Sequence, residues 1–213
     1  MRCLINIDMH LHTVYSGDGF IGINTLKKLA KKKKIIPIVT DHDTTKAYKK
    51  LKLPIMGEEI RTKQGEVIAY FLNEHVKKMQ DIHETIDQIR AQGALVGVPH
   101  PFDFRRGSTL RYDLKKINVD MLEVFNARCL LKNANGLAYN YARKNGYLFS
   151  AGSDAHLPWE FGRTYIKMNE FDFESPKEFL KNLKTAEIVR KKSPLWVHIL
   201  TAGINRIRRV LPL

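Results

Sequence analysis

The chain has 213 residues, a net charge of +14 and 44% hydrophobic residues, enough for one large domain or two small ones with a proper core. This composition argues against intrinsic disorder, and no apolar run approaches the roughly 18 residues of a membrane span. The charge points to anionic partners (phosphates, nucleic acid or acidic lipid) without choosing among them.

The N-terminus shows no charged lead, apolar core and small-residue cleavage site, so no signal peptide is expected. Cys3 and Cys129 carry no metal-site spacing and read as reduced thiols, which favours a cytoplasmic location. Leu4, Ile5 and Ile7 predict a buried first strand that runs into Asp8-Met9-His10-Leu11-His12-Thr13. His10 and His12 are two apart, so an extended backbone turns both imidazoles to one face, a natural start for a transition-metal site. Ser16-Gly17-Asp18-Gly19 is turn chemistry. Asn24 is expected to cap a helix with Leu26, Leu29 and Ala30 inward, and Lys31 to Lys34 end it at the favourable pole of its dipole.

Ile35 to Val39 predicts the second strand, followed at once by Thr40-Asp41-His42-Asp43. Pro54 to Met56 predicts a third, with Gly57-Glu58-Glu59 at its end. A turn over Arg61 to Gly65 makes the fourth strand, Val67 to Leu72, antiparallel to it and places Glu59 and Glu66 at one end of the sheet. Asp81 and Glu84 open a helix with Ile82, Ile86 and Ile89 inward, stopped by Gly93. Ala94 to Val98 is the fifth strand and runs into Pro99-His100-Pro101-Phe102. Met121 to Phe125 is the sixth; it contains Glu123 and leads to Asn126 and Arg128. A helix with Leu137, Tyr141 and Ala142 on one face ends at Gly146, and Tyr147 to Ala151 is the seventh strand, closed by Gly152-Ser153-Asp154-Ala155-His156.

Alternating strands and helices argue for an α/β fold with one hairpin in the parallel order, and in α/β barrels chemistry collects at the C-terminal ends of strands. His10, His12, His42, Glu59, His100, Asp154 and His156 all fall at such ends, whereas His75, His83 and His198 lie outside the pattern and read as structural or surface residues. Ser175-Pro176-Lys177-Glu178 starts another helix. In the tail, Trp196, Leu200, Ile204, Ile207 and Leu211 recur at helical spacing opposite Asn205, Arg208 and Arg209. A helix packed on the body of the fold is the plain reading; contact with a membrane surface through 195–211 is the subordinate one.

Six motifs in order now carry a resemblance. Asp-Met-His-Leu-His-Thr (8–13), Ser-Gly-Asp-Gly (16–19), Thr-Asp-His-Asp (40–43), Gly-Glu-Glu-Ile (57–60), Pro-His-Pro-Phe (99–102) and Gly-Ser-Asp-Ala-His (152–156) resemble the PHP, or polymerase and histidinol phosphatase, superfamily in its small stand-alone members. The resemblance spans about residues 4 to 170 and implies a single domain over 1–213, with 175–213 as C-terminal helices on or beside it. It implies a distorted seven-stranded (β/α)7 TIM-like barrel with two to three divalent ions (manganese, zinc or iron, with magnesium admissible) at the strand ends. Carried over by position, His10, His12, Glu59 and Asp154 hold a first metal, Glu59 bridges to a second shared with Glu66 and His100, and Asp18, His42 and His156 hold a third. Many relatives have histidine at Glu66 and several at Asp18; carboxylates there shift the preference from zinc toward harder ions.

The implied activity is a metal-dependent phosphoesterase that hydrolyses a phosphate monoester or a nucleotide or oligonucleotide phosphate through a metal-activated water. No Ser or Cys nucleophile stands in a suitable motif. Arg128, and Arg105 or Arg106, are candidates to grip phosphate oxygens bidentately. The expected partner is a small phosphorylated substrate, a nucleotide or short oligonucleotide among them, without stable duplex binding. The alternatives are a histidinol-phosphate or sugar phosphatase, or a metal-binding interaction module without turnover; a full set of metal-competent side chains and the lack of interleaved aromatic and basic residues favour catalysis.

Overall fold

Residues 3–210 are described by the computed structural model, with side-chain surroundings to residue 206. In chain order the elements are β1 (Leu4–Asp8), α1 (Ile23–Lys33), β2 (Ile36–Pro37), α2 (Lys46–Leu51), β3 (Gly57–Thr62), β4 (Gly65–Tyr70), α3 (Ile82–Ala91) and β5 (Leu95–Val98). They continue with β6 (Met121–Asn126), α4 (Ala134–Asn145), β7 (Leu148–Gly152), β8 (Tyr165–Asn169), α5 (Pro176–Leu183), β9 (Glu187–Val189) and α6 (Trp196–Val210).

Among the described residues the strands form two mixed sheets, a four-stranded one in the order β2-β1-β8-β9 and a five-stranded one in the order β3-β4-β5-β6-β7. Among these residues the α/β class is seen, while no single closed ladder joins the strands of the distorted seven-stranded barrel that the resemblance implies. β8 runs antiparallel along β1 from Leu4 to Ile7 and takes the edge that β7 would have used. β7 meets the first strand only beyond its end, through an isolated Leu11–Ala155 bridge, and the second seam is an isolated His42–Glu59 bridge.

Strand residues Ile7, Ile68, Tyr70, Met121 and Ala151, with Ile38 just past β2, pack into one core drawn from both sheets. The outer face of the five-stranded sheet buries Val67, Ala69, Val96 and Leu122 against Ile82, Ile86 and Ile89 of α3. Leu26 of α1 and Ala47 and Leu51 of α2 form a third cluster with Phe161. Asp81 caps α3 by accepting the His83 amide, and Ser175 caps α5 by accepting that of Glu178.

Other boundaries differ from the sequence reading for local reasons. β3 starts at Gly57 rather than Pro54, so Glu59 sits within a strand, in register with Ile68. Gly22, not Asn24, holds the N-cap position of α1, without a side-chain cap bond. On α4 the inward stripe is Ala134, Ala138 and Ala142, while Leu137 is exposed. The lysine-rich α2 and strands β8 and β9 were not expected. In the C-terminal helix, the side chains of Ile207, Arg208 and Arg209 and the whole of Leu211 lie outside the described residues. No helix among the described residues is long and apolar enough to cross a membrane.

Candidate metal centre

Two buried aspartates hold the loops that follow β1 and β2 in place. Asp8 accepts the Ser153 amide at 2.9 Å and its hydroxyl at 2.5 Å, tying the end of β1 to the end of β7. Gly152 makes this approach possible, since a Cβ there would overlap the backbone of His10. Asp41 accepts the Thr13 amide at 2.5 Å and its hydroxyl at 2.6 Å, which fixes the segment bearing His12. His100 and Asp154 both have positive φ, 33° and 50°. Such backbones cost about 1–3 kcal/mol and persist where the surroundings over-determine them. Here the His100 amide donates to Glu123 Oε2 at 2.8 Å, and the Asp154 amide to the His10 carbonyl at 2.7 Å.

The nine expected ligands come together around one cavity. His10 Nε2 and His12 Nε2 are 3.2 Å apart. Glu59 Oε2 lies 3.4 Å from the first and 3.3 Å from the second, and Asp154 Oδ1 lies 3.7 and 3.4 Å from them. His100 Nε2 is 3.3 Å from Glu59 Oε1 and 4.0 Å from Glu66 Oε2. Asp18 Oδ2 is 3.3 Å from His42 Nε2 and 3.2 Å from His156 Nε2. His42 stands between groups rather than in one: its Nδ1 faces Glu59 and Glu66 at 3.2 and 3.4 Å.

These donors fit divalent cations. Ligand bonds of about 2.1 Å put the corners of a tetrahedron about 3.4 Å apart, close to the mutual spacing of the His10, His12 and Glu59 donors. His42 Nδ1, Glu59 Oε1 and Glu66 Oε2 are buried with no hydrogen-bond partner, a costly arrangement unless something else satisfies them. Burial raises the Glu59 carboxyl, but positive charge on His10 and His42 outweighs it and holds the group well below the usual carboxylate range. Burial lowers His10, while Glu123, Glu59 and Asp154 more than reverse this and raise it well above its ordinary value. His42 rises to about 10 because Glu59 and Asp18 outweigh its burial. Glu66 is raised by burial and by Glu59. This part of the cluster thus favours positive charge, which protons supply on His10, His12 and His42 and which metal ions would supply in their place.

Two of the three expected arginines reach the cavity. Arg106 and Arg128 line it, and Arg105 is exposed elsewhere. Arg106 is engaged on protein acceptors: Asp154 Oδ2 at 2.6 Å, the Arg128 carbonyl at 2.9 Å and Asp103 Oδ2 at 3.2 Å. Buried Arg128 donates through Nη2 to Thr201 Oγ1 at 2.8 Å, and its Nε lies 3.5 Å from Glu160.

Sequence reasoning assigned no role to Glu123, whose Oε1 is 3.0 Å from His10 Nδ1 and whose Oε2 accepts Asn126 Nδ2 at 2.9 Å. An acid in the apolar run Met-Leu-Glu-Val-Phe was the available signal, because a buried charge needs partners. His75 bonds Glu58 and His83 bonds Tyr112, as structural residues. His198 departs from that expectation: with Thr201 and Asn205 of α6 it lines the cavity.

A family model described as PHP-associated matches residues 132–188, from before α4 to β9. The uncharacterized protein MJ0417 of Methanocaldococcus jannaschii is 39% identical over 206 residues, covering 90% of this chain and 85% of that protein. Among solved structures, a two-domain protein from Bacteroides vulgatus containing a predicted PHP-like metal-dependent phosphoesterase superposes with a TM-score of 0.68 at 17% identity, over 89% of this chain and 66% of that one. The lesion-specific endonuclease PfuEndoQ from Pyrococcus furiosus gives a TM-score of 0.61 at 17% identity, over 87% of this chain and 58% of that one. This chain thus spans under two thirds of either solved chain. Six ordered motifs converge on one cavity, a relative matches over most of both lengths, and the fold is shared: the chain belongs to the PHP superfamily.

Proposed function

We propose that the protein is a metal-dependent phosphoesterase that hydrolyses a phosphate monoester or a nucleotide or oligonucleotide phosphate. The observation that carries this reading is the convergence of nine ligand-competent side chains, eight of them lining one cavity with two arginines and the ninth, His10, grouped with His12 and Glu59. In this reading the two sheets are halves of a split seven-stranded barrel, with β8 and β9 added at one edge. His10, His12, Glu59 and Asp154 would hold one ion, Glu59, Glu66 and His100 a second, and Asp18, His42 and His156 a third, with His42 shared toward Glu59.

Divalent ions bound there would polarise a phosphoryl oxygen, neutralise its charge and bring a water's pKa toward neutrality. The chain's own residues arrange the rest. Glu123 accepts from His10 Nδ1 and so leaves Nε2 to the cluster. Arg106 orients Asp154 by holding one of its oxygens. Arg128 lines the cavity with guanidinium donors suited to phosphate oxygens. Water adds to phosphorus, the ester P–O bond breaks, and alcohol and phosphate leave.

A screen of phosphate esters with purified protein, supplied separately with manganese, zinc, iron and magnesium, tests the reading. Metal-dependent release of phosphate from at least one ester is expected. Failure to turn over any ester with any of the four metals would overturn it.

A further inference from the structure

The cavity has a wall that belongs to none of the six motifs. Ser193 donates its amide to the Ala127 carbonyl at 2.8 Å and brings the chain to the mouth of the site. α6 then follows with His198, Thr201 and Asn205 on one stripe, three and four residues apart, and all three line the cavity. The opposite stripe is apolar and outside: Trp196 is 51% and Ile199 77% exposed. Thr201 is committed, accepting from Arg128 and donating to the Val197 carbonyl at 2.9 Å.

The other two are not. Among the described residues the His198 imidazole makes no hydrogen bond or ion pair, and Asn205 Oδ1 is buried without a partner. Burial and the charges of Arg128 and Arg106 push His198 down to about 4, leaving a neutral ring that can both donate and accept. Apart from imidazoles, the described residues of the lining include Leu130 and Ala202 but no Phe, Tyr or Trp, so they give a nucleobase no larger aromatic platform to stack on. The cavity is about 310 Å³, at the small end of the usual range of about 300–1,000 Å³. Hydroxyl groups, donors and acceptors at once, match a neutral imidazole and a carboxamide.

We propose that α6 is the recognition wall of this site, and that His198 and Asn205 hydrogen-bond the hydroxyl groups of a small polyhydroxylated alcohol whose phosphate monoester is the substrate. The inference rests on the phosphoesterase reading and narrows it.

The test compares glucose 6-phosphate, adenosine monophosphate and p-nitrophenyl phosphate as substrates of the metal-loaded protein. His198→Ala and Asn205→Ala should each lower kcat/KM for glucose 6-phosphate at least tenfold relative to p-nitrophenyl phosphate, whose leaving group offers no hydroxyls. His198→Gln should recover part of the loss, and Ile199→Ala, on the outer stripe, should leave the ratio unchanged. Circular dichroism and metal content check that each variant folds and loads. Independently of turnover, glucose 6-phosphate should shift the His198 imidazole resonances in a nitrogen-15 spectrum more than inorganic phosphate does. An unmoved His198 signal, kcat/KM ratios insensitive to both substitutions, or a preference for adenosine monophosphate that His198→Ala leaves intact would each overturn the proposal. A wild-type protein that hydrolyses no ester would instead count against the phosphoesterase reading itself.

Discussion

Arg106 holds one oxygen of Asp154 and leaves the other to the histidines: its Nη1 is 2.6 Å from Oδ2, while Oδ1 lies 3.4 Å from His12 Nε2. The guanidinium also helps keep the Asp154 carboxyl, which burial alone would raise, well below the usual range. Loss of such a supporting partner commonly costs 10–100-fold in metal affinity or activity. Arg106→Gln should therefore lose metal affinity by about that factor, read by calorimetric titration with manganese. An unchanged affinity would remove Arg106 from the support of the cluster and return it to the phosphate.

Glu59 and Glu66 should not be equivalent. Glu59 lies within 3.4 Å of nitrogens on His10, His12, His42 and His100, whereas Glu66 comes that near only to His42. Glu59→Gln should lower both metal content and activity more than Glu66→Gln, measured as equivalents per chain by elemental analysis and as phosphate release. A Glu59→Gln protein with normal metal content and full activity would show that the bridging role is assigned wrongly.

Arg128 should separate substrate binding from metal binding. Its guanidinium is buried at the cavity wall, and a charge-assisted contact with phosphate is worth about 1.5–3 kcal/mol, or roughly ten- to a hundredfold. Arg128→Ala should cut kcat/KM by that factor with metal content retained, and it should also lower Tm, because Glu160 loses its charged neighbour. Arg128→Lys should restore only part of the rate, since an ammonium cannot reproduce the fork. The exposed Arg143 is the control, and matching kinetics for Arg128→Ala and Arg143→Ala would exclude the contact.

Much of this site could be read from the chain because most of the ligands follow or border an apolar run whose direction fixes where the side chain ends up, Asp18 in its turn being the exception. His10 and His12 needed only two-residue spacing, and Glu59 and Glu66 only a hairpin between them. The sheet arrangement was less visible. Nothing in Leu4 to Ile7 says that β8 will occupy their edge, because pairing partners far apart in the chain leave no local mark. His198 was missed for a related reason. A helix with an apolar stripe suggests burial on that side, yet α6 turns Trp196 and Ile199 outward and His198, Thr201 and Asn205 toward the cavity.

The same histidine makes stability depend on acid. Its folded pKa, about 4, lies below the ordinary 6.5, so the unfolded chain takes up the proton first. This contribution is fully present above pH 6.5 and is lost as pH falls toward about 4. In thermal melts across that window the Tm of wild type should fall more steeply than that of His198→Gln. Parallel curves would mean that the ring titrates as freely in the folded protein as in the unfolded chain.

The seams between the sheets have a mechanical consequence. His10, His12 and His42 follow strands of the four-stranded sheet, while Glu59, Glu66, His100, Asp154 and His156 lie in or beside strands of the five-stranded one. One bridge closes each seam, and one of those bridges, His42 with Glu59, joins two of the ligands themselves. Cations held by both sides would act as rivets across a joint that the backbone spans with a few hydrogen bonds in place of a continuous ladder. Slippage of one sheet along the other would open the donor set, and a chelator should speed amide exchange at Leu11 and Glu59 before it does so in the middle of β6.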